Sequence, residues 1–199
     1  MKMRDLIKLF KENAGQVGTC VYQADCLDQG FEKAVEICLA KPLLVPLMDI
    51  PGDLDPGTTK ILAAPNLDEP SFHLLETKCR AHPGIVLIKE GLGNYPWGID
   101  MGITLMDFGI ASTGTLVLNS NKEETRLSTM LPEVHLAILH TSKIRSTALE
   151  MAGELNELVS GSGSYTAFIT GASRTADIER VLAVGVHGPL ERHIILVED

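Results

Sequence analysis

The chain has 199 residues, of which 45% are hydrophobic and 22% are charged, a composition typical of a globular domain and not of a disordered chain. The 26 acidic residues outnumber the 17 basic ones, giving a formal net charge of −9, and no basic run offers a footprint for nucleic acid. No apolar run approaches the roughly 20 residues that a membrane-spanning helix needs. We therefore expect one domain over residues 1–199, with no nucleic-acid partner and no membrane span.

The four cysteines have none of the spacings that indicate a redox, zinc or iron–sulfur site. Cys20, Cys26, Cys38 and Cys79 include no CxxC pair, and they lie among apolar neighbours. We predict buried, reduced thiols, which indicates the cytoplasm as the compartment. The motifs of zinc proteases, P-loop proteins and dinucleotide-binding folds are missing as well, so we expect no metal and no cofactor.

Short apolar runs alternate with helical periods in the first half of the chain, a pattern typical of an α/β fold. Residues 1–14 predict an amphipathic helix that packs on the domain, and residues 19–22 predict a strand. A second helix is expected after Asp28. Its buried face would contain Phe31, Val35, Cys38 and Leu39. A third helix is expected to be capped by Ser71.

From residue 85 onward the sequence predicts five further strands, over residues 85–88, 115–118, 135–140, 165–170 and 194–197. Residues 85–88 are a continuous apolar run, of the kind buried on both faces of a parallel sheet. The glycine-rich stretch 91–109 reads as irregular. Helices are predicted over residues 144–158 and from 175 to about 184, and residues 165–170 return to the sheet. These elements predict a three-layer α/β domain with a mostly parallel sheet.

Three short segments concentrate glycine, hydroxyl and charged residues at the ends of predicted strands, where open α/β sheets bind ligands. The first covers residues 107–115, from Asp107 onward, and its Thr113, Gly114 and Thr115 lead directly into a strand. Backbone amides and hydroxyls in such a turn suit a carboxylate or a phosphate. They equally suit a tight bend in which the two hydroxyls satisfy backbone groups.

The second segment, residues 170–179, follows the end of a predicted strand and opens a predicted helix with Ser173, Arg174 and Thr175. A helix N-terminus offers free amides, and the guanidinium adds a planar cationic donor, so an anion is favoured here. Asp177 would orient Arg174 toward the ligand. The competing interpretation is a capping box that Asp177 or Glu179 completes.

Histidines and one further arginine extend the set of candidates. His187 lies between glycines in a predicted loop, which suits either proton transfer or a simple turn. Arg126 precedes a strand and would reach either the same site or a surface ion pair. His135 and His140 lie five residues apart on one strand, hence on opposite faces, and are not expected to share a metal.

In their order and spacing, these segments resemble a known family, the LUD domain, and more narrowly the lactate-utilisation protein C family. The matching blocks are Ala111-x-Thr113-Gly114-Thr115, Arg126 with Leu131-Pro132 and His135, TGASRTADIE at 170–179, and GVHGP at 185–189. The resemblance covers the chain from Asp100 to its end. The family commonly has Glu where this chain has Ser112 and Pro where it has Ala172.

The resemblance implies a fold related to the superfamily of ribose-5-phosphate isomerase, glucosamine-phosphate deaminase and CoA-transferases. It also implies a part in the oxidation of L-lactate to pyruvate together with iron–sulfur partner proteins. The alternatives are a stand-alone isomerase, transferase or cyclo-ligase for a phosphorylated or CoA-linked substrate, and a non-catalytic anion-binding or assembly module. Whether the chain is itself an enzyme, and whether it forms a homo-oligomer, stays open.

The resemblance further implies that the three segments form one crevice for a small anion. The expected binding residues are Thr113, Gly114, Thr115, Arg126, Ser173, Arg174 and Thr175. His187 and Asp177 are the expected catalytic residues: His187 would transfer a proton, and Asp177 would hold Arg174 in place.

Overall fold

The computed structural model describes residues 2–44, 59–95, 98–160, 164–172, 174–176, 182–184 and 188–198, with the backbone alone at 174–176 and 182–184. The helices are α1 (Met3–Gln16), α2 (Leu27–Ala40), α3 (Glu69–Arg80), α4 (Glu123–Met130) and α5 (Ala152–Val159). The strands are β1 (Cys20–Ala24), β2 (Lys60–Ala63), β3 (Ile85–Ile88), β4 (Ile99–Leu105), β5 (Phe108–Ile110), β6 (Thr115–Asn119), β7 (Pro132–His140), β8 (Ile144–Arg145), β9 (Thr166–Ile169), β10 (Arg174–Ala176), β11 (Leu182–Val184) and β12 (Glu191–Val197).

Six parallel strands form the main sheet, in the order β1-β12-β7-β4-β2-β3. A smaller sheet has the order β8-β5-β6-β9, and β10 pairs with β11 in an antiparallel ribbon. Parallel strands need crossover connections, and the segments that make them, together with α1, cover the faces of the main sheet. The prediction of an α/β fold with a mostly parallel sheet is confirmed.

One face of the main sheet packs against α2 and α3. Phe31 of α2 and Leu75 of α3 are fully buried against strand residues such as Leu136 and Ile138 of β7. The opposite face carries α1 and the smaller sheet, with Phe10 at the centre of the contact. Because β7 alternates between these two cores, its side chains are buried on both sides, which explains its continuous apolar sequence.

Two strands differ from the sequence prediction. Residues 85–88 do form β3, but it lies at the edge of the sheet and Val86 is 39% exposed, so the predicted burial on both faces is wrong. Within the stretch predicted to be irregular, β4 is a central strand with Met101 fully buried. Glycines in this stretch read as strand breakers, yet Gly102 lies inside β4, where α4 crosses closely.

Three helix predictions need correction. The predicted helix over 144–158 is only partly present. Its first two residues form β8, which pairs with β5, and the α-helix is limited to α5. The predicted helix from 175 to about 184 is wrong because β10 and β11 form antiparallel strands there. The cap of α3 is Asp68, which accepts the backbone N–H of Ser71 at 3.0 Å, whereas Ser71 was predicted to be the cap.

The remaining predictions for the first half are largely confirmed. α1 is amphipathic and buries Phe10 and Ala14, and α2 buries its predicted face except for Leu39, which is exposed. All four cysteines are free; Cys38 and Cys79 are buried as expected, but the other two are exposed. No helix in the described ranges is both long and apolar enough to cross a membrane.

Candidate functional site

Two of the predicted segments meet through a chain of threonine hydroxyls. Thr115 Oγ1 lies 2.7 Å from Thr113 Oγ1 and 2.7 Å from the Oγ1 of Thr170, the first residue of the second segment. The antiparallel pairing of β6 with β9 creates this contact, because it aligns the start of β6 with the end of β9. We call Thr113, Thr115 and Thr170 the threonine cluster. Thr113 and Thr170 are exposed and Thr115 between them is buried, so both ends of the cluster lie at the surface.

Gly114 holds the threonine cluster against the end of α1. Its φ of +63° lies in the left-handed region, and an added Cβ would stand 2.3 Å from the backbone nitrogen of Ala14. Asn13 strengthens the contact by donating its side-chain amide to the carbonyl of Ala111 at 2.8 Å. The glycine is therefore required by this close approach, whatever the loop binds.

A buried arginine fixes the other half of the cluster. Arg192 donates to the carbonyls of Ile169 and Gly171, each at 2.9 Å, and so clamps the backbone on both sides of Thr170. Arg192 is 2% exposed, and burial lowers its pKa to about 10, which leaves the guanidinium charged at neutral pH. Within the part of the chain that the structure describes, no carboxylate pairs with this charge, and Arg192 Nε has no hydrogen-bond partner.

The threonine cluster lies at the amino-terminal edge of the main sheet. The end of α1, on which Gly114 packs, is separated by three residues from the start of β1, and Arg192 is the second residue of β12. The sequence predicts a site at the carboxyl ends of the strands, where open α/β sheets bind ligands. Two predicted segments are thus together, but at the opposite edge.

Arg126 is not part of this group. Its guanidinium donates to the carbonyls of Ser120 and Asn121, at 2.8 and 3.1 Å, and stacks over the ring of Tyr165 at 5.6 Å. These partners follow the far end of β6, some five residues from Thr115, or roughly 16 Å along an extended strand. The structure gives Arg126 a role in fixing the turn after β6.

Several predicted residues cannot be placed beside the threonine cluster. Ser173, Asp177 and His187 lie outside the described residues. Arg174 and Thr175 belong to β10, where the backbone alone is described. Since residues 174–176 are extended and paired with 182–184, no helix N-terminus is available at Arg174, and an anion there would depend on side chains and strand amides.

The carboxyl edge of the main sheet holds a cavity of about 520 Å³. It lies where β4 and β7 end, and we call it the carboxyl-edge cavity. Its lining consists of Asn66, Leu105, Met106, Asp107, Phe108, Asn119, His140, Lys143, Glu154, Glu157 and Leu158. Burial raises the pKa of Asp107, although the backbone N–H of Asn119 and the charge of Lys143 act against that rise.

A sequence model of the LUD domain matches residues 7–197, which is nearly the whole chain. The chain belongs to the LUD domain family. It is similar to the Lactate utilization protein C of Shouchella clausii, 39% identical over 103 residues, and to that of Halalkalibacterium halodurans, 40% identical over 104 residues. These matches cover 50% of this chain and 44% and 45% of those proteins, so the aligned part is less than half of each relative.

A solved structure shares the fold of this LUD domain. The crystal structure of a DUF162 family protein from Deinococcus radiodurans superposes with a TM-score of 0.57 over 99% of both chains. The two sequences are 15% identical, so the likeness concerns the fold.

Sequence reasoning missed both the clamp and the cavity of this LUD domain. Arg192 stands in the run ERHIILV, which predicts a strand and gives no sign that the guanidinium turns inward. Asp107 begins the first segment, but nothing in the sequence shows that its carboxyl group lines a cavity. Asp107 can be identified only once β4 is known, because it lies two residues after the end of that strand.

Proposed function

We propose that this LUD domain acts in the utilisation of L-lactate, binds a small carboxylate, and works with iron–sulfur proteins. The observation that carries the proposal is the similarity to proteins named Lactate utilization protein C. The absence of cluster-type cysteine spacing in this chain fits a component that leaves electron transfer to partners.

The proposed carboxylate site comprises the threonine cluster and the segment that follows it. Arg174 supplies the bidentate guanidinium, which matches the geometry of a carboxylate, and Ser173 and Thr175 supply hydroxyl donors. Thr170 connects this segment to Thr115, and the carbonyl clamp of Arg192 gives the segment a fixed starting point. A binding segment whose first residues are already fixed loses less conformational entropy when the ligand binds.

Charge supports an anion at this edge of the sheet. Arg192 is a buried cation, and no carboxylate among the described residues pairs with it. A positive charge in a poorly solvated setting raises the local potential and favours a nearby anion. Under this proposal Asp177 orients Arg174 and His187 moves a proton on the bound acid.

Loss of this chain is expected to abolish growth on L-lactate while leaving growth on pyruvate intact. The reason is that a chain that serves the oxidation of lactate to pyruvate is needed for growth on lactate. Cells supplied with pyruvate bypass that step. The measurement is the growth of a disrupted strain on each carbon source. Wild-type protein should restore growth on lactate, and R174A should not, because the guanidinium is the main ligand of the carboxylate.

An R80A protein is the matched control, since Arg80 is an exposed arginine of α3 that pairs with Glu76. It should restore growth as well as wild type does. A disrupted strain that grows normally on L-lactate would contradict the proposal. We expect iron–sulfur proteins to co-purify with a tagged chain from lactate-grown cells. If none co-purifies, the proposed partnership with iron–sulfur proteins is wrong.

A further inference from the structure

The carboxyl-edge cavity has the position and size of a binding site, and it is separate from the threonine cluster. We infer that it binds a small neutral molecule that carries several hydroxyl groups. A volume of about 520 Å³ lies within the range of about 300–1,000 Å³ that small-molecule sites occupy. The position beyond the carboxyl ends of β4 and β7 is where parallel sheets present their ligands. The inference does not depend on the role in lactate utilisation.

The walls of the cavity are held in place by hydrogen bonds. The side-chain amide of Asn66 donates to the carbonyl of Leu105 at 2.7 Å, and its oxygen accepts the N–H of Leu105 at 3.0 Å. On the next residues of the wall, Asp107 Oδ2 accepts the backbone N–H of Asn119 at 2.6 Å. Polar groups fixed in this way need little rearrangement when a ligand binds.

The charged side chains that line the carboxyl-edge cavity indicate which class of ligand it binds. Three carboxyl side chains line the cavity, Asp107, Glu154 and Glu157, against the single ammonium of Lys143. Arg145, beside the cavity, donates to Glu154 at 2.9 Å and balances it. The lining therefore offers more acceptors than cationic donors. A phosphate or polycarboxylate would meet an excess of negative charge, whereas hydroxyl groups can donate to these oxygens.

Apolar side chains complete the cavity. Leu105, Met106 and Leu158 supply carbon surface. Phe108 is held by two cations, with Lys143 Nζ 5.6 Å and Arg145 Cζ 5.3 Å from the ring centre. A site with carboxylate acceptors and a carbon-lined wall matches a molecule that has hydroxyls on a hydrocarbon frame, such as a sugar or a sugar alcohol.

The test compares D-sorbitol, D-sorbitol 6-phosphate and choline as probes, by titration of the full chain followed in two-dimensional NMR spectra. Sorbitol should bind, with shifted signals around residues 105–108, and neither charged probe should bind as tightly. D107N should weaken sorbitol binding by at least about tenfold, because one carboxyl oxygen acceptor becomes an amide donor with little change in shape. L158W should abolish binding by filling the cavity.

The matched control is E12Q on the exposed face of α1, which should bind sorbitol as wild type does. Preserved NMR spectra show that each variant is folded; if L158W is not, D107N decides. No sorbitol binding, equal binding in wild type and D107N, or tighter binding of either charged probe would overturn the inference. L-lactate binding by wild type and R174A is measured on the same samples. A failure of the proposed lactate site is thereby distinguished from a failure of sorbitol to bind the carboxyl-edge cavity.

Discussion

Replacing Gly102 by alanine is expected to destabilise the protein by about 3 kcal/mol, at the upper end of the cost of overpacking a core. An added Cβ would stand 2.0 Å from the carbonyl oxygen of Ser128 and 2.7 Å from the ring of Pro132. The first of these atoms is the backbone of α4, which cannot rotate away. Either α4 or the central strand β4 must shift, and both contribute to the buried core.

The control is G153A in α5, where an added Cβ has no atom within 4 Å. Alanine is a better helix former than glycine, so this variant should gain up to about 1 kcal/mol. Chemical denaturation of both variants gives the free energies of unfolding. For a chain of this size, G102A should melt about 6–12 °C below wild type. A G102A protein within about 0.5 kcal/mol of wild type would show that α4 does not pack on β4 as described.

Acid is expected to destabilise the wild-type protein through His135. This side chain is 1% exposed, lies 2.8 Å from the hydroxyl of Thr104, and neighbours the charge of Arg192. Burial first, and the nearby guanidinium second, lower the pKa of His135 from 6.5 to about 3. The folded protein therefore keeps a neutral imidazole over a pH range in which the unfolded chain takes up a proton.

The sign follows from proton uptake by the two states. Below pH 6.5 the unfolded state binds a proton at His135 that the folded state does not bind, so unfolding becomes more favourable as pH falls. The stability contribution is complete above pH 6.5 and is lost as the pH falls toward about 3. At about 1.4 kcal/mol per pH unit, the total loss is of the order of 5 kcal/mol.

An H135Q protein isolates this effect, because other titrating groups are common to both proteins. Glutamine keeps a polar partner for Thr104 but cannot titrate. The measurement is the free energy of unfolding of both proteins from pH 7.5 to pH 4. Wild type should lose more stability than H135Q as the pH falls, with the difference growing below pH 6.5. Parallel curves would mean that His135 is protonated in the folded protein or is solvated.

The sequence indicated the fold class because the buried strands have simple patterns. Residues 135–140 read HLAILH, an uninterrupted apolar run that is buried on both faces in β7. β4 was missed because Gly102 looks like a strand breaker, and its need for a close helix crossing is visible only in three dimensions. The periodicity over 144–158 was misleading because Ile144 pairs with Gly109, a tertiary contact that overrides local preference.

The site was accessible from sequence only in part. Thr115 and the second segment were predicted to be neighbours, and Thr170 does contact Thr115. The edge of the sheet was misjudged because β5 and β6 form a separate small sheet that carries Thr115 back toward the start of β1. Nothing in the sequence shows that reversal. The role of Arg192 was not predicted for a similar reason, because its partners are backbone carbonyls and no sequence motif indicates such contacts.

The most direct test of the carboxylate site is the melting temperature of the purified full chain with and without L-lactate, for wild type, R174A and R80A. A ligand that binds the folded state alone stabilises it by about 2.7 kcal/mol at a hundredfold excess over its dissociation constant. We predict that lactate raises the melting temperature of wild type and R80A and leaves that of R174A unchanged. An equal rise in all three proteins, or no rise in any of them, would contradict a carboxylate site at Arg174.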